Sequence, residues 1–300
     1  MGIVVTTPTG NIGRRVVEKL LAAKADVTVF VRDPSKLDPA VRSRVTVATG
    51  TLEDAEALTK ATKGANELFF VVPPNYSTTA WREWQRQLGL NAAQAIRANK
   101  IPRVVLLSSF GAQRQDLGPI SGLGEMEGVI QAAAPNVLTL RAGYFMENLL
   151  QQVKTLREGG AMYNPLPPAV KMPMVATRDI ADVVAAKLLD RSWSGHQTIG
   201  VHGPADVSMA EAAAIIGEAL GRAVTYTQVP VEAAEDAMRK GGMSEVVATG
   251  YGAMLRGLSD GKARGEARSE ESTTPTTLAE FARTVIKPAV LAPAAGAAAH

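Results

Sequence analysis

Thr7-Pro8-Thr9-Gly10-Asn11-Ile12-Gly13 lies between a short apolar run, Met1-Gly2-Ile3-Val4-Val5-Thr6, and a helical run from Arg14 to Ala23. A helix N-terminus presents free N–H groups and the positive end of its dipole, so a turn leading into one can seat a pyrophosphate. Gly10 would let the backbone approach phosphate oxygens, and Gly13 would let the helix lie close against the preceding strand. Thr7 stands where such turns usually begin with glycine. The next apolar run, Val27-Thr28-Val29-Phe30-Val31, ends in Arg32-Asp33. The residue closing that strand faces an adenosine ribose. An acid there favours a free 2′-hydroxyl, and a cation suits a 2′-phosphate. Arg32, with Lys36 in reach, therefore predicts NADP, with NADPH preferred. Thr7, Thr9, Gly10, Asn11, Ile12 and Gly13 form its expected phosphate turn.

The elements that must carry this turn alternate cleanly through the first half of the chain. Apolar strands are expected at Val45–Ala48, Leu68–Val72, Val104–Ser109 and Val137–Arg141. Helices are expected at Leu52–Ala61, Thr79–Ala98 and Glu125–Ala134. Continuous apolar strands between helices predict an α/β fold, a Rossmann-type doubly wound parallel sheet covered on both faces. Ligands in such sheets bind beyond the carboxyl ends of the strands. The positions following strands are thus the informative ones: Gly50 to Leu52, Val72 to Pro74, Ser108 to Gly111 and Ala142 to Met146, besides the first turn and Arg32.

The second half loses this rhythm. Helices are expected near 145–157, 179–189, 208–220 and 231–239, with short strand-like pieces and a proline-rich loop, Asn164-Pro165-Leu166-Pro167-Pro168. The division expected is a dinucleotide-binding domain over 1–150 and a smaller C-terminal α/β substrate lobe over 151–286, whose sheet and helices can interleave with the first. The Ala/Pro-rich segment 287–300 is expected to be disordered. Two irregular stretches are rich in residues that adapt to flat apolar ligands: Met162, Tyr163, Met172 and Met174, then Met238, Met243, Tyr251 and Met254. An ordinary lobe core accounts for them equally well. Trp81, Trp84 and Leu88 share one helix face and are expected to serve packing.

Composition excludes several classes. A hydrophobic fraction of 46% in 300 residues supports a sizeable core. The net charge of +3 is small, and the basic residues are scattered, so nucleic acid is not an expected partner. With no cysteine there is no disulfide or thiolate site, which fits a reducing, cytoplasmic setting. The three histidines, His196, His202 and His300, match no metal-ligand spacing, so no metal is expected. No basic leader and no membrane-length apolar run is present, so neither export nor membrane association is expected. A monomer or homodimer acting on a small apolar molecule is the remaining expectation.

Taken together, these segments resemble the NmrA-like members of the atypical short-chain dehydrogenase/reductase superfamily. The resemblance rests on Thr6–Gly13, Val31–Lys36, Val105–Ala112, Leu140–Asn148, Thr177–Ala181, Gly203-Pro204 with Ser208, and Pro275–Ala282. It implies a Rossmann domain for NAD(P) and a C-terminal substrate lobe. It also implies either a quinone, azo or ketone reductase or a non-catalytic NADP(H)-sensing regulator. Cofactor contacts are implied for Thr51, Leu52, Val72, Pro73 and Ser108, and for Gly143, Tyr144 and Phe145 near the nicotinamide. Ser109 is implied as a substrate-binding serine, and Tyr144 is the candidate proton donor. Three departures stand out. Thr7 replaces a glycine. Gly50-Thr51-Leu52 replaces Gly-Asp-Leu near the adenine. The tyrosine with a lysine four residues later, which relatives use to pass a proton to a carbonyl, is missing. The residues four beyond Tyr76, Tyr144, Tyr163, Tyr226 and Tyr251 are Ala80, Asn148, Pro167, Pro230 and Leu255. The expected function is NADPH-dependent hydride transfer to an apolar aromatic, quinone-like or ketone acceptor without that pair.

Overall fold

Seven apolar strands have both faces to bury, and helices cover both. The computed structural model describes residues 2–261 and 265–293. Its first half runs β1 (Gly2–Thr6), α1 (Asn11–Ala22), β2 (Asp26–Val31), α2 (Pro39–Arg42), β3 (Thr46–Thr49), α3 (Ala55–Ala61), β4 (Ala65–Phe70), α4 (Trp81–Asn99), β5 (Arg103–Ser109), α5 (Pro119–Gln131) and β6 (Asn136–Ala142). The second half runs β7 (Tyr144–Phe145), α6 (Val153–Gly159), β8 (Ala161–Asn164), β9 (Lys171–Val175), α7 (Thr177–Leu189), β10 (His196–Val201), β11 (Asp206–Ser208), α8 (Met209–Leu220), β12 (Thr225–Gln228), α9 (Val231–Lys240), α10 (Glu245–Ser259), α11 (Leu278–Phe281) and α12 (Lys287–Leu291).

The central sheet has the order β10-β6-β5-β4-β1-β2-β3, and every neighbouring pair is parallel. Strand order reverses between β1 and β4, which opens a crevice at their carboxyl ends. Thr6, fully buried at the end of β1, stitches this point. Its hydroxyl donates to the Phe69 carbonyl at 3.0 Å and accepts from the Val71 N–H at 3.3 Å. The apolar run Leu68–Val72 had predicted a strand through Val72. β4 instead ends at Phe70, because Val71 turns its N–H to a side chain rather than to a neighbouring strand.

On one face, Val16, Val17 and Leu20 of α1 pack with Ile180, Val184 and Leu188 of α7. Arg15 adds a two-pronged pair to Asp182, 2.8 Å on each prong. On the other face, Leu88, Ala92 and Ile96 of α4 meet Met126 and Ile130 of α5. At the amino edge of the sheet the buried Glu67 pairs with Arg103 at 3.1 Å. The Arg103 guanidinium lies 3.9 Å from the centre of the Trp193 ring and donates to the carbonyls of Asp190 and Trp193.

A second core, built on Met146, Leu149, Met162, Met172, Met174, Ile216 and Phe281, fills the lobe between two small sheets, β11-β9-β7 and β12-β8. Carboxylates fasten it. Glu147 accepts the N–H of Thr177 at 3.0 Å and its hydroxyl at 2.6 Å, which caps α7. Buried Asp179 accepts the N–H of Thr276 at 2.9 Å and its hydroxyl at 2.7 Å. Several segments that carried the resemblance therefore contain clamps between distant elements.

Two expectations fail. The stretch around Met243 to Met254, expected to be irregular, is helical as α10 from Glu245 onward, although Gly250, Gly252 and Gly257 weaken its helix signal. A β-carbon on Gly250 would come within 2.8 Å of the Trp81 indole nitrogen, so glycine there lets α10 seat on the start of α4. The segment expected to be disordered begins as helix. Val290 of α12 is buried, and Arg157 donates to the carbonyls of Ala289 and Val290 at 2.8 and 2.9 Å. Residues 294–300 lie outside the described residues.

Candidate active site

A cleft of about 710 Å³ opens at the carboxyl ends of β1 to β4. One end of it is walled by the turn Thr7, Pro8, Thr9 and Gly10. Thr7 has φ +50°, a left-handed backbone that glycine adopts freely and that costs a β-branched residue about 1–2 kcal/mol. A β-carbon on Gly13 would lie 2.2 Å from the Thr7 carbonyl oxygen, so only glycine lets α1 approach the turn. Gly10 precedes α1 without offering a side-chain cap, and the first helical turn holds no acid. Its N–H groups are thus left for an anion. Ile12 and Gly13 are buried beneath the turn, and Asn11 is exposed at the helix start.

Arg32 and Lys36 line the same cleft and are exposed, and neither makes an ion pair among the described residues. The neighbouring acid is occupied. Asp33 accepts the Ser35 N–H at 3.0 Å and hydroxyl at 2.7 Å, which holds its carboxyl below the usual carboxylate range. The far wall consists of Phe30, Gly50, Thr51, Leu52, Glu53, Trp84 and Leu88. Trp84 and Leu88, expected to serve packing, are therefore also cleft walls, and Trp81 alone of that trio packs on α10. Pro73 lines the cleft, whereas Val72 packs against the core and forms no part of the wall.

An apolar cavity of about 220 Å³ opens over β5 and β6. Ser109, Gly143, Tyr144 and Phe145 line it together with Met172, Tyr251, Met254 and Leu255. Met162 and Met174, grouped with Met172 in the sequence, are ordinary core, and Tyr163 faces solvent. Ser108 does not reach either cavity. It is buried and donates to Glu127 at 2.5 Å, and Glu127 in turn holds Arg141. Side-chain alternation along β5 explains this: Ser109 faces the cavity, so Ser108 must face α5. Burial pushes the Tyr144 hydroxyl far above its ordinary value and pushes Tyr251 up to about 12. Tyr251 meets Tyr76 of the cleft wall, their ring centres 6.4 Å apart, so an aromatic pair stands between cleft and cavity.

These residues fit a phosphorylated dinucleotide. An uncapped helix start, a cradle that a β-carbon on Gly13 would fill, and cations after the adjacent strand with no ion pair among the described residues are the parts such a ligand needs. Among the described residues no group of acids and histidines could hold a metal ion, and no helix is long and apolar enough to cross a membrane.

The NmrA-like family model matches residues 1–281. An NAD(P)H azoreductase of Xenophilus azovorans is 32% identical over 249 residues, covering 82% of this chain and 83% of that protein. Among solved structures, the NADPH-dependent quinone oxidoreductase of Escherichia coli in complex with NADPH superposes with a TM-score of 0.80 at 22% identity, covering 94% of this chain and 98% of that one. The Citrobacter triphenylmethane reductase complexed with NADP(H) gives a TM-score of 0.79 at 20% identity, covering 96% and 100%. The last two likenesses speak to the fold, and the sheet order here contains the Rossmann order. A motif set spread from the first turn to the Pro275–Ala282 segment, matched nearly end to end by one family model, identifies the chain as a member of the NmrA-like family.

Proposed function

We propose that this protein reduces a flat, apolar acceptor of quinone, azo-aromatic or aromatic ketone type. The acceptor would lie in the cavity over β5 and β6, with NADPH held in the cleft over β1 to β4. The coarser statement, an NAD(P)H-dependent oxidoreductase with a Rossmann fold, is that of the family and of the azoreductase relative. The observation that carries the finer one is the pairing of two unlike cavities along one sheet edge, joined at Tyr76 and Tyr251.

When bound, NADPH would supply a hydride, and the reduced acceptor would take up its proton from solvent as it leaves the cavity. Arg32 and Lys36 would hold the 2′-phosphate, the turn Thr7–Gly10 and the start of α1 the pyrophosphate, and Gly143 to Phe145 the nicotinamide end. Phe145, Met172, Met254 and Leu255 would exclude water from the acceptor. Half-buried Tyr144 and Tyr251 stay protonated at neutral pH but are weakened as acids. Ser109 and Asn148 line the cavity as neutral polar groups and would orient the acceptor rather than protonate it. An acceptor that spreads its own developing charge suits such a site, where orientation supplies much of the rate. The lobe over 151–286 would act as the acceptor-binding part of the molecule.

The test is identification of co-purified cofactor, followed by NADPH oxidation against quinones, azo dyes and aromatic ketones. Turnover of a flat acceptor supports the proposal. Tight NADPH binding with no acceptor reduced, and a partner protein whose association responds to NADP⁺, would replace it with a sensor.

A further inference from the structure

Asp33 and Glu53 are the acidic walls of the larger cleft, and Asp33 is spent on Ser35. Glu53 is different. It is exposed, and an exposed glutamate ordinarily gains little from being held still. Yet three groups from two elements fix it. The Trp84 indole N–H of α4 donates to its Oε1 at 3.0 Å. The Thr51 hydroxyl, on the same cleft wall, helps to stabilise the charge of that carboxylate. Asn91, nearly fully buried, donates to the carbonyls of Leu52 and Glu53 at 2.9 and 3.0 Å and pins the backbone. These donors and the charge of Arg32 keep the Glu53 carboxyl below the ordinary range despite partial desolvation, so it is ionised at neutral pH.

An ionised carboxylate accepts hydrogen bonds and donates none, and its two oxygens offer about four lone-pair sites. The Trp84 hydrogen bond leaves acceptor capacity on both oxygens. The surrounding walls, Phe30, Leu52, Trp84 and Leu88, are apolar and partly planar. A ligand suited to this corner is a flat ring with an N–H donor on its edge. A ring presenting a carbonyl oxygen there would set lone pair against lone pair.

Resting on the cofactor reading above, we propose that Glu53, positioned by Trp84 and Thr51, accepts a hydrogen bond from the exocyclic amino group of the cofactor's adenine. The cleft thereby selects a 6-aminopurine over a 6-oxopurine. Thr51 alone is too short and too weak an acceptor for that task. It serves instead as a brace for the longer acid two residues on.

The test compares binding of NADPH with binding of its hypoxanthine analogue, in which a 6-oxo group replaces the amine, by quenching of protein fluorescence. The wild type should favour NADPH by about tenfold, the scale of a charge-assisted bond at a part-exposed site. Glu53→Gln, whose amide can donate to an oxo group, should bring the ratio to within about twofold at an unchanged melting temperature. Trp84→Phe, which removes the brace but keeps the ring, should give an intermediate ratio. Glu53→Ala provides a second route to the same loss of discrimination. Equal affinities in the wild type, or an undiminished ratio in Glu53→Gln, would overturn the proposal while leaving NADPH binding intact. Failure of both nucleotides to bind would instead sink the cofactor reading beneath it.

Discussion

The cleft over β1 to β4 and the cavity over β5 and β6 open along the same sheet edge but are made differently. The cleft is walled largely by the residues that follow four neighbouring strands, and it carries polar groups: N–H groups at the start of α1, Arg32 and Lys36 with no ion pair among the described residues, and a braced Glu53. The cavity gathers residues from six separate stretches between Ser109 and Leu258 and is largely apolar. Charge near it is neutralised. Arg141 is held by Glu127 and Glu266 at 2.6 and 2.7 Å. A charged cofactor needs pre-placed counter-charge, whereas an apolar acceptor needs only shape and dryness. One edge can thus hold two partners without exchanging them.

The largest expected effect breaks the cleft. Gly13→Val forces a side chain into the Thr7 carbonyl and should cost about 3 kcal/mol or more, seen as a lowered denaturant midpoint and lost NADPH binding. Gly10 sharpens the contrast. Its β-carbon would meet only an ordinary 3.5 Å contact, so Gly10→Ala should melt like the wild type yet bind NADPH weakly. Unchanged NADPH affinity in soluble Gly13→Val protein would place the pyrophosphate elsewhere.

Next comes charge. Arg32→Ala should lower NADPH affinity about ten- to hundred-fold, equivalent to roughly 1.5–3 kcal/mol, and leave NADH binding nearly unchanged. Calorimetric titration of both nucleotides decides this, and wild-type protein that binds NADH as well as NADPH would remove Arg32 from the phosphate. On the cavity side the effects should be smaller. Tyr144→Phe and Tyr251→Phe should each keep turnover within about tenfold, well short of the 10²–10⁴ that a positioned acid contributes. A thousand-fold loss in either, with NADPH affinity intact, would make that phenol a true acid.

The smallest effect lies at the opposite sheet edge. Burial pushes the Glu67 carboxyl up to about 7, outweighing Arg103. The folded protein therefore holds a proton that the unfolded chain releases near the ordinary carboxylate value. The resulting stability is full at lower pH and is lost as pH rises through about 7. Between pH 5 and 8 the wild-type melting temperature should fall by a few degrees relative to Glu67→Gln. Parallel curves for the two proteins would show that Glu67 is already ionised throughout.

How much was legible in the chain follows the same division. The turn after β1, Arg32 and the alternation of strands and helices all rest on neighbours within a few residues, and the folded protein brings the turn and Arg32 to the wall of one cleft. Strand ends were less legible, since β4 stops where a side chain, Thr6, takes the next N–H. Ser108 and Ser109 illustrate a finer limit: both follow the same apolar strand, and only the pleat decides which one faces the cavity. The glycines of α10 weakened the very helix signal that would have revealed the cavity wall.

Contiguous residues were sufficient for the half of the molecule that forms the larger cleft, because a helix dipole, a turn conformation and a strand-ending cation are local properties. Folding alone brought Glu53 to Trp84, Tyr76 to Tyr251 and Asp179 to Thr276. Those pairings depend on which helix faces cover which strands. That choice is made by burying apolar area across the whole sheet, a sum over distant residues that no single segment encodes.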